Sequence, residues 1–467
     1  MSSLVVFSDL FNIPLRNGVT KPKKVRGTGY KMVNMGELFA NSIIDNVEMD
    51  RVPLTETEKN TLLEKGDLLF ARQSLVREGA GKCSIFIDDI ESVCFESHII
   101  RCRLKKSIAN PLFYYYFFKS PLGKEKIASI VEQGAGAAGI RGSDLQRIKV
   151  PYLPINIQNL ISDCLYAFDQ KIQLNTQINQ TLEQIAQAIF KSWFVDFDPV
   201  KAKIDALANG GTHADAERAA MQVISGKTNA ELTQMQQTNP DAYKTLEKTA
   251  ALFPSEMVES ELGEVPKGWG ISTVGDVAQI TKGKSYKSEE LQPSKTALVT
   301  LKSFNRGGGY RLDGLKEYTG TYKENQEVFS GDLIIAYTDV TQAADVIGKP
   351  AMVMSDSKYE HLVISLDVGV VRPNNNIYKY FLYCLAMTDN FQSHTKAFCT
   401  GTTVLHLSKD AVPSFKFCNP NENLLEAFDC LSSSIFLKIN NTIEENKRLI
   451  ETRDALLPKL LSGRMEV

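Results

Sequence analysis

The chain has 467 residues, too many for a single hydrophobic core, so two or three domains are expected. Its apolar content of 43% is ordinary for a folded globular protein, and no apolar run reaches the roughly eighteen residues that a membrane-spanning helix needs. The formal charge of -2 argues against a uniformly basic nucleic-acid binder.

That charge is unevenly spread. Residues 1–150 carry 22 Lys and Arg against 17 Asp and Glu, and residues 270–418 carry 16 against 15. Residues 151–269 carry 9 against 15, and 419–467 carry 6 against 8. A near-neutral total can therefore conceal basic faces on the first and third stretches, although scattered solvated charge would give the same counts. The cysteines, Cys83, Cys94, Cys102, Cys164, Cys384, Cys399, Cys418 and Cys430, form no Cys-x-x-Cys pair. They point away from a zinc site and toward small buried thiols in a reducing, cytoplasmic setting. Met1 to Arg16 carries Asp9 and no basic residue before its apolar stretch, and it does not read as a secretory leader.

In chain order, the first half shows short apolar runs bounded by Gly, Asn and charges. Gly66-Asp67 precedes one such run and reads as a tight turn rather than an acid catalyst. Ser84–Ile87 and Ser97–Leu104 read as strands. Pro111–Phe118 reads as a short aromatic helix, whose rings suit a core more than base stacking. Gly134, Gly136, Gly139 and Gly142 lack the lysine of a phosphate loop and read as a flexible surface loop. Pro154-Ile155-Asn156 begins a long helix, with Asn156 as the candidate cap. In it Ile161, Phe168, Leu182 and Ile189 recur at heptad spacing, and Ile157, Cys164, Ile178 and Ile185 form a companion seam.

Residues 199–262 carry turn signals at 209–212 and 238–240 around polar Ala- and Gln-rich stretches, and they read as a surface linker with a small helical insertion. Trp269 opens the second half, where Leu362–Val371 reads as a strand and Tyr378–Ala386 as an aromatic helix. Asn419-Pro420 begins a second long helix, a cap residue followed by proline at the first helical position. Leu424, Phe428, Leu431, Ile435, Ile439 and Ile443 give its apolar face. Lys171, Asn175, Lys438 and Asn440 interrupt the two seams and would fix register. The length of both patterns favours the helices packing on each other over each packing on its own domain.

The two halves share a plan. Gly66–Ala71 matches Gly331–Ala336 at an offset of 265 residues. The same offset pairs Gly136 with Gly401, Ser143 with Ser408, Asn175 with Asn440 and Ile178 with Ile443, which suggests a duplicated unit. Catalytic motifs are missing: no Gly-x-x-x-x-Gly-Lys-Ser/Thr loop, no Asn/Asp-Pro-Pro-aromatic methyltransferase motif, and no nucleophile motif. The histidines His98, His213, His361, His394 and His406 are scattered, and His98 and His361 occupy strand-like positions that suit a structural role. No catalytic residue and no metal site are expected.

Several stretches carry a resemblance. Val150–Gln158, Phe168–Ile172, Asn179–Glu183 and Phe190–Val200 resemble the central conserved region of type I restriction-modification specificity subunits. Glu261–Trp269 resembles the start of their second half, and Arg453–Gly463 their C-terminal signature. The insertion near 207–245 departs from that pattern. The resemblance implies two target-recognition domains that each read half of a split, asymmetric double-stranded DNA site. It implies an antiparallel coiled coil that spaces them and docks two methyltransferase (modification) subunits. A restriction (endonuclease/translocase) subunit would join, and S-adenosylmethionine, ATP and Mg would bind those partners rather than this chain. A helix over 156–192 would be ~55 Å long, more than one DNA turn.

The expected fold is α+β (mixed α/β): two related globular domains separated by two long antiparallel coiled-coil helices, an internal pseudo-twofold repeat. The expected boundaries are 1–153 and 263–418 for the recognition domains, 154–198 and 419–467 for the helices, and 199–262 for the linker. The spacer seam is expected to rest on Ile161, Phe168, Ile178, Leu182, Ile185, Leu424, Phe428, Leu431, Ile435 and Ile443. Base readout calls for Arg or Lys toward guanine and Asn or Gln toward adenine. The candidates are Lys21, Lys23, Lys24, Arg26 and Lys31, with no acid between Asp9 and Glu37, then Arg72, Gln73 and Arg77, then Arg141 and Arg147. In the second half they are Lys282, Lys284, Lys287, Lys302, Asn305, Arg306, Arg311, His394, Lys396 and His406. The competing readings are a coiled-coil scaffold without DNA binding and a fused restriction-modification enzyme.

Overall fold

The computed structural model describes residues 3–88, 90–134, 136–340, 344–354, 356–402 and 404–461. The chain divides into two compact units, Met1–Thr176 with Ile443–Val467, and Gln177–Thr442. Two uninterrupted forty-residue helices, the central helix Ile155–Phe194 and the C-terminal helix Glu422–Leu461, contribute residues to both.

In the first unit, Ser3–Val6 pairs antiparallel with Lys149–Tyr152. A five-stranded sheet runs in the order Phe11–Asn17, Ile99–Leu104, Leu68–Ala71, Cys83–Phe86, Ile43–Ile44. Two small sheets flank it: Arg51–Val52, Tyr30–Val33, Val93–Phe95; and Glu132–Gln133, Ala138–Gly139, Gln73–Ser74. The second unit repeats the plan. Gly270–Thr273 pairs with Lys416–Asn419, and the main sheet runs Ala278–Lys282, Val368–Pro373, Leu333–Ala336, Pro350–Met352. Its small sheet Thr338–Asp339, Leu405–Leu407, Cys399–Thr400 repeats the one at Gln73–Ser74.

Strand register shows that the offset between the copies is not constant. It is 265 at Asp67 and Asp332, which both follow a left-handed glycine, and 267 where Tyr152 and Asn419 end their strands. The long helices keep 267. Asn175 therefore corresponds to Thr442 rather than Asn440, and Ile178 does not correspond to Ile443. Short insertions within the domains shift the frame, and a motif-by-motif match cannot register them.

Each copy centres on an aromatic helix. Pro111–Lys119 is capped by Asn110, whose side chain accepts from the amides of Leu112 and Phe113. Phe113 to Phe118 are all buried, in one cluster with Leu68, Phe70 and Ile100 of the sheet and with Ile161, Leu165, Leu457 and Leu460 of the long helices. These rings are core. The Tyr116 hydroxyl donates to Asp169 at 2.7 Å, and Arg453 pairs with the other oxygen of that carboxylate. In the second unit the aromatic helix is Lys379–Met387, one residue later than expected, and Tyr383 donates to Glu183 of the central helix. Tyr380 stacks on Phe436 with centroids 4.6 Å apart.

Within each unit the two long helices run antiparallel. The buried and half-buried face of the central helix is Ile161, Leu165, Phe168, Ile172, Asn175, Asn179, Leu182, Ala186, Ile189 and Trp193. That of the C-terminal helix is Phe428, Ser432, Ile435, Ile439, Thr442, Asn446, Leu449, Arg453, Leu456 and Leu460. Both alternate in steps of four and three, the signature of a heptad seam. Of the companion seam expected at Ile157, Cys164, Ile178 and Ile185, Ile157 and Ile178 are half-buried, whereas Cys164 is exposed and Ile185 is 43% exposed. Leu431, 37% exposed, also lies off the seam, and Ser432 takes its place. Choosing apolar residues alone missed part of the seam, because Asn175, Asn179, Ala186, Ser432, Thr442, Asn446 and Arg453 are small or polar.

Four other expectations need correction. The central helix begins at Ile155, so Asn156 lies inside it and cannot cap; the C-terminal helix begins at Glu422, capped by Asn421 through the Leu424 amide at 2.9 Å. Asn419 ends a strand instead. Leu362–Val371 is two strands, His361–Ile364 and Val368–Pro373, separated by a turn in which the Val368 amide donates to Ser365. The expected linker is folded: helices Asp198–Ala208, His213–Ser225, Asn229–Thr238 and Pro240–Ala251 pack around Ala220, Met221, Leu232 and Ala250. Finally, the glycine-rich stretch is not a loose loop. Glu132–Gln133 and Ala138–Gly139 pair with each other and with Gln73–Ser74, and Gly142–Arg147 is helical; Ala135 lies outside the described residues.

Asp67 is 1% exposed and accepts two bonds of 2.7 Å from Arg103 and one of 2.8 Å from the Glu64 amide. Asp332 repeats the role with weaker bonds, 3.1 Å from the Phe329 amide and 3.1 Å from Arg372, in a wetter setting. These acids fix turns. Asp67→Ala should destabilise the first domain by about 1–3 kcal/mol, because it removes two charge-assisted bonds while Arg103 keeps Glu64 and the Leu62 carbonyl. Asp332→Ala should cost about 1 kcal/mol. Amide hydrogen exchange of Leu68–Ala71 and Leu333–Ala336 across a urea series measures both.

Candidate nucleic-acid interface

The small sheet at Gln73–Ser74 and the edge strand Phe11–Asn17 wall a cleft of about 520 Å³ in the first domain. Its polar lining includes Arg16, Asn17, Arg72, Gln73, Gln133, Arg141 and Gln146. Two of its edges are fixed by main-chain bonds. The Arg72 amide donates to the His98 carbonyl at 2.8 Å, and the Arg72 carbonyl accepts from Ile140 at 2.9 Å. Arg141 is exposed and pairs with Glu132 at 2.7 Å across the mouth.

This lining is a concentrated set of donors suited to base edges. Guanidinium groups match the two acceptors of guanine, and side-chain amides match the donor and acceptor of adenine. Of the sequence candidates, the structure brings Arg72, Gln73 and Arg141 together here. Arg16, Asn17, Gln133 and Gln146 were missed. Their signal was present as amide and guanidinium residues beside the glycine-rich stretch, but only strand pairing joins positions 16, 72 and 133.

The equivalent place in the second domain carries other chemistry. Register aligns Asn17 with Lys282, Arg72 with Tyr337, Gln73 with Thr338, Gly139 with His406 and Glu132 with Thr400. The Lys282 ammonium lies over the Tyr337 ring, 4.4 Å from its centroid, and partial burial lowers its pKa. His406 is exposed on its strand. Lys282 and His406 are thus the second-half candidates that the fold places at the corresponding position.

The remaining candidates are dispersed. In the early basic run, Lys21 pairs with Glu58, Arg26 with Asp50 and Lys31 with Glu91, at 2.8, 2.6 and 2.8 Å. Only Lys23 and Lys24 stand exposed on a short turn. Arg77 lines a different cavity, of about 490 Å³, with Lys82, Lys119 and Lys124. Arg147 ends a helix at the surface. Lys284 is held by Thr321, and Arg311 by Asp313. Lys287, Lys302, Asn305, Arg306 and Lys396 are exposed on turns or helix ends. His394 packs on Phe398 and Phe415, and its ring nitrogen meets the Ala411 carbonyl at 2.9 Å, a structural role. His98 sits in a turn rather than a strand, near Glu96, while His361 contacts Glu327 at 2.7 Å.

Among the described residues no cluster of His, Cys, Asp and Glu could hold a metal, and no helix is long and apolar enough to cross a membrane. Five cysteines are buried as expected; Cys164 and Cys430 are exposed.

Two copies of one α+β domain, the first with an edge-strand cleft and each followed by a long heptad helix, define a duplicated protein. The family model for the type I restriction modification DNA specificity domain matches twice, at residues 5–184 and 266–448. The chain belongs to that family: it is a specificity subunit of a type I restriction-modification system and a non-catalytic recognition component. The HindI specificity subunit of Haemophilus influenzae is 31% identical over 92% of this chain and 93% of its own. The MjaIX specificity subunit of Methanocaldococcus jannaschii is 24% identical over 76% of this chain and 69% of its own. An S subunit from M. genitalium of known structure aligns over 98% of this chain and 96% of its own, at 16% identity and a TM-score of 0.46.

Lys21 and Glu58 permit a pH prediction. The bond from Lys21 holds the Glu58 carboxyl down to about 2, helped by the Thr55 amide. This stabilisation is complete above the ordinary glutamate value of 4.5 and fades as pH falls toward 2. Lys21→Ala should therefore steepen unfolding less at pH 3 than at pH 7. Lys23→Ala with Lys24→Ala should instead leave folding intact and reduce the salt slope of DNA binding by about 2. Titrations at several salt concentrations check the second expectation.

Proposed function

We propose that this chain reads a split, asymmetric DNA site, one half in each domain's cleft. The observation that carries this is the cleft of the first domain and the register-equivalent position of the second, which carry different side chains. Arg16, Asn17, Arg72 and Gln73 in one copy stand where Thr281, Lys282, Tyr337 and Thr338 stand in the other. A homodimer of identical readers would select a palindrome; two unlike readers select unlike half-sites.

The long helices serve as docking rods for two methyltransferase subunits, and a restriction subunit completes the assembly. Apolar residues exposed outside the seam support this: Leu160 and Leu174 in the first unit, Ile185, Leu431 and Leu437 in the second. S-adenosylmethionine, ATP and Mg belong to those partners. The named specificity subunits to which this chain is similar are parts of type I restriction enzymes, which fits a role in choosing where partners act.

Footprinting of the complex with its methyltransferase should show two protected patches separated by an unprotected spacer. A single patch, or none, would sink the reading. Arg72→Ala should cost about 1–3 kcal/mol and relax specificity at one base pair of one half-site only. Sequencing of methylated genomic sites in cells carrying the variant reads that change.

A further inference from the structure

The strand Gln73–Ser74, whose Gln73 lines the first-domain cleft, and the equivalent strand Thr338–Asp339 are each followed by an exposed apolar residue. Leu75 and Val76 immediately follow the strand Gln73–Ser74 and are 87% and 60% exposed. Val340 immediately follows the equivalent strand Thr338–Asp339 and is 69% exposed. Leu75 and Val340 are 265 residues apart, the offset that also relates Gln73 to Thr338. Single exposed apolar residues are common on protein surfaces. Two at the same structural position, among the three most exposed large hydrophobic residues described, are not explained that way.

The first tip is also held in shape. The Val76 amide donates to the Ser74 hydroxyl at 3.2 Å, and the Gly79 amide to the Val76 carbonyl at 3.1 Å. Gly79 is required there, since a Cβ would come within 2.2 Å of the Ser74 oxygen. Gly81, at a φ of +76°, returns the chain to the sheet through a 2.8 Å bond to Ala71. A turn anchored this way presents Leu75 to solvent at little further entropic cost on binding. In the second copy, Asp339 accepts from the Val346 amide at 2.8 Å, which anchors the position next to Val340.

We propose that Leu75 in one half-site and Val340 in the other contact thymine methyl groups in the DNA major groove. The proposal rests on the reading of the clefts as DNA-binding. Among the base-edge groups of the major groove, the thymine methyl is the apolar one. An apolar tip next to hydrogen-bonding side chains, Arg72 and Gln73 in one copy and Tyr337 and Thr338 in the other, is therefore matched to a thymine beside the base pair those side chains meet. The same contact explains why the tip is apolar in both copies while the lining changes: the methyl offers no hydrogen bond to be matched.

The test uses the full chain in complex with its methyltransferase, on duplexes carrying the site mapped by methylation. Each thymine is replaced singly by uracil, which removes only the methyl. One thymine in each half-site should show an affinity loss of about fourfold, the scale of one buried methyl. Leu75→Ala should abolish the loss in its own half-site and leave the other half-site sensitive; Val340→Ala should do the converse. Both residues are exposed, so the variants should keep the native circular dichroism spectrum. If the complex binds its site but no uracil effect disappears with its matching variant, the thymine contact is wrong and DNA reading stands. Variants that weaken binding equally on thymine and uracil duplexes also overturn it, and point to a wedge or a protein contact. If the native complex does not bind the mapped site at all, both the contact and the underlying reading fall.

Discussion

A helix that is apolar on every side has to be enclosed, and each half of this chain contains one. Phe113 to Phe118 cannot be buried by the sheet alone, since a sheet covers one face. The opposite face is covered by Ile161 and Leu165 of the central helix and by Leu457 and Leu460 of the C-terminal helix. The domain and the helical pair thus share a core, and neither can be completed without the other. Tyr116 on Asp169, and Tyr383 on Glu183, add a directed bond to a contact that would otherwise have no fixed rotation.

The seam of the long helices follows from the same demand. It must pack helix on helix while leaving room for a domain on one side, and its centre is polar rather than apolar. Asn175, 1% exposed, donates to Glu445 and Asn446 at 3.0 and 2.8 Å. A buried asparagine in a heptad seam lowers stability and fixes register.

The proposed reading surface lies on edges that the core leaves free. The first-domain cleft lies where the small sheet meets the main sheet, and its lining residues come from segments far apart in sequence. That arrangement lets the lining change without touching the aromatic core, as the replacement of Arg72 by Tyr337 and of Asn17 by Lys282 between the copies shows.

The sequence by itself determined the duplication, the two long helices, the aromatic core helices and the family, because periodicity, turn residues and conserved-looking motifs are local. It also identified Arg72, Gln73 and Arg141 as basic or amide residues near turns. It misplaced Cys164 and Ile185 on the companion seam and passed over Ala186 and Ser432, which are buried although small or polar. It read residues 199–262 as a linker with a small helical insertion; the helices are there, but that four of them bury Met221 and Leu232 by packing on one another was not legible. The tertiary structure alone decided which donors share a cleft. Arg16, Arg72 and Gln133 meet through strand pairing, and pairing between distant segments is fixed by burial of the whole sheet rather than by any segment's own residues.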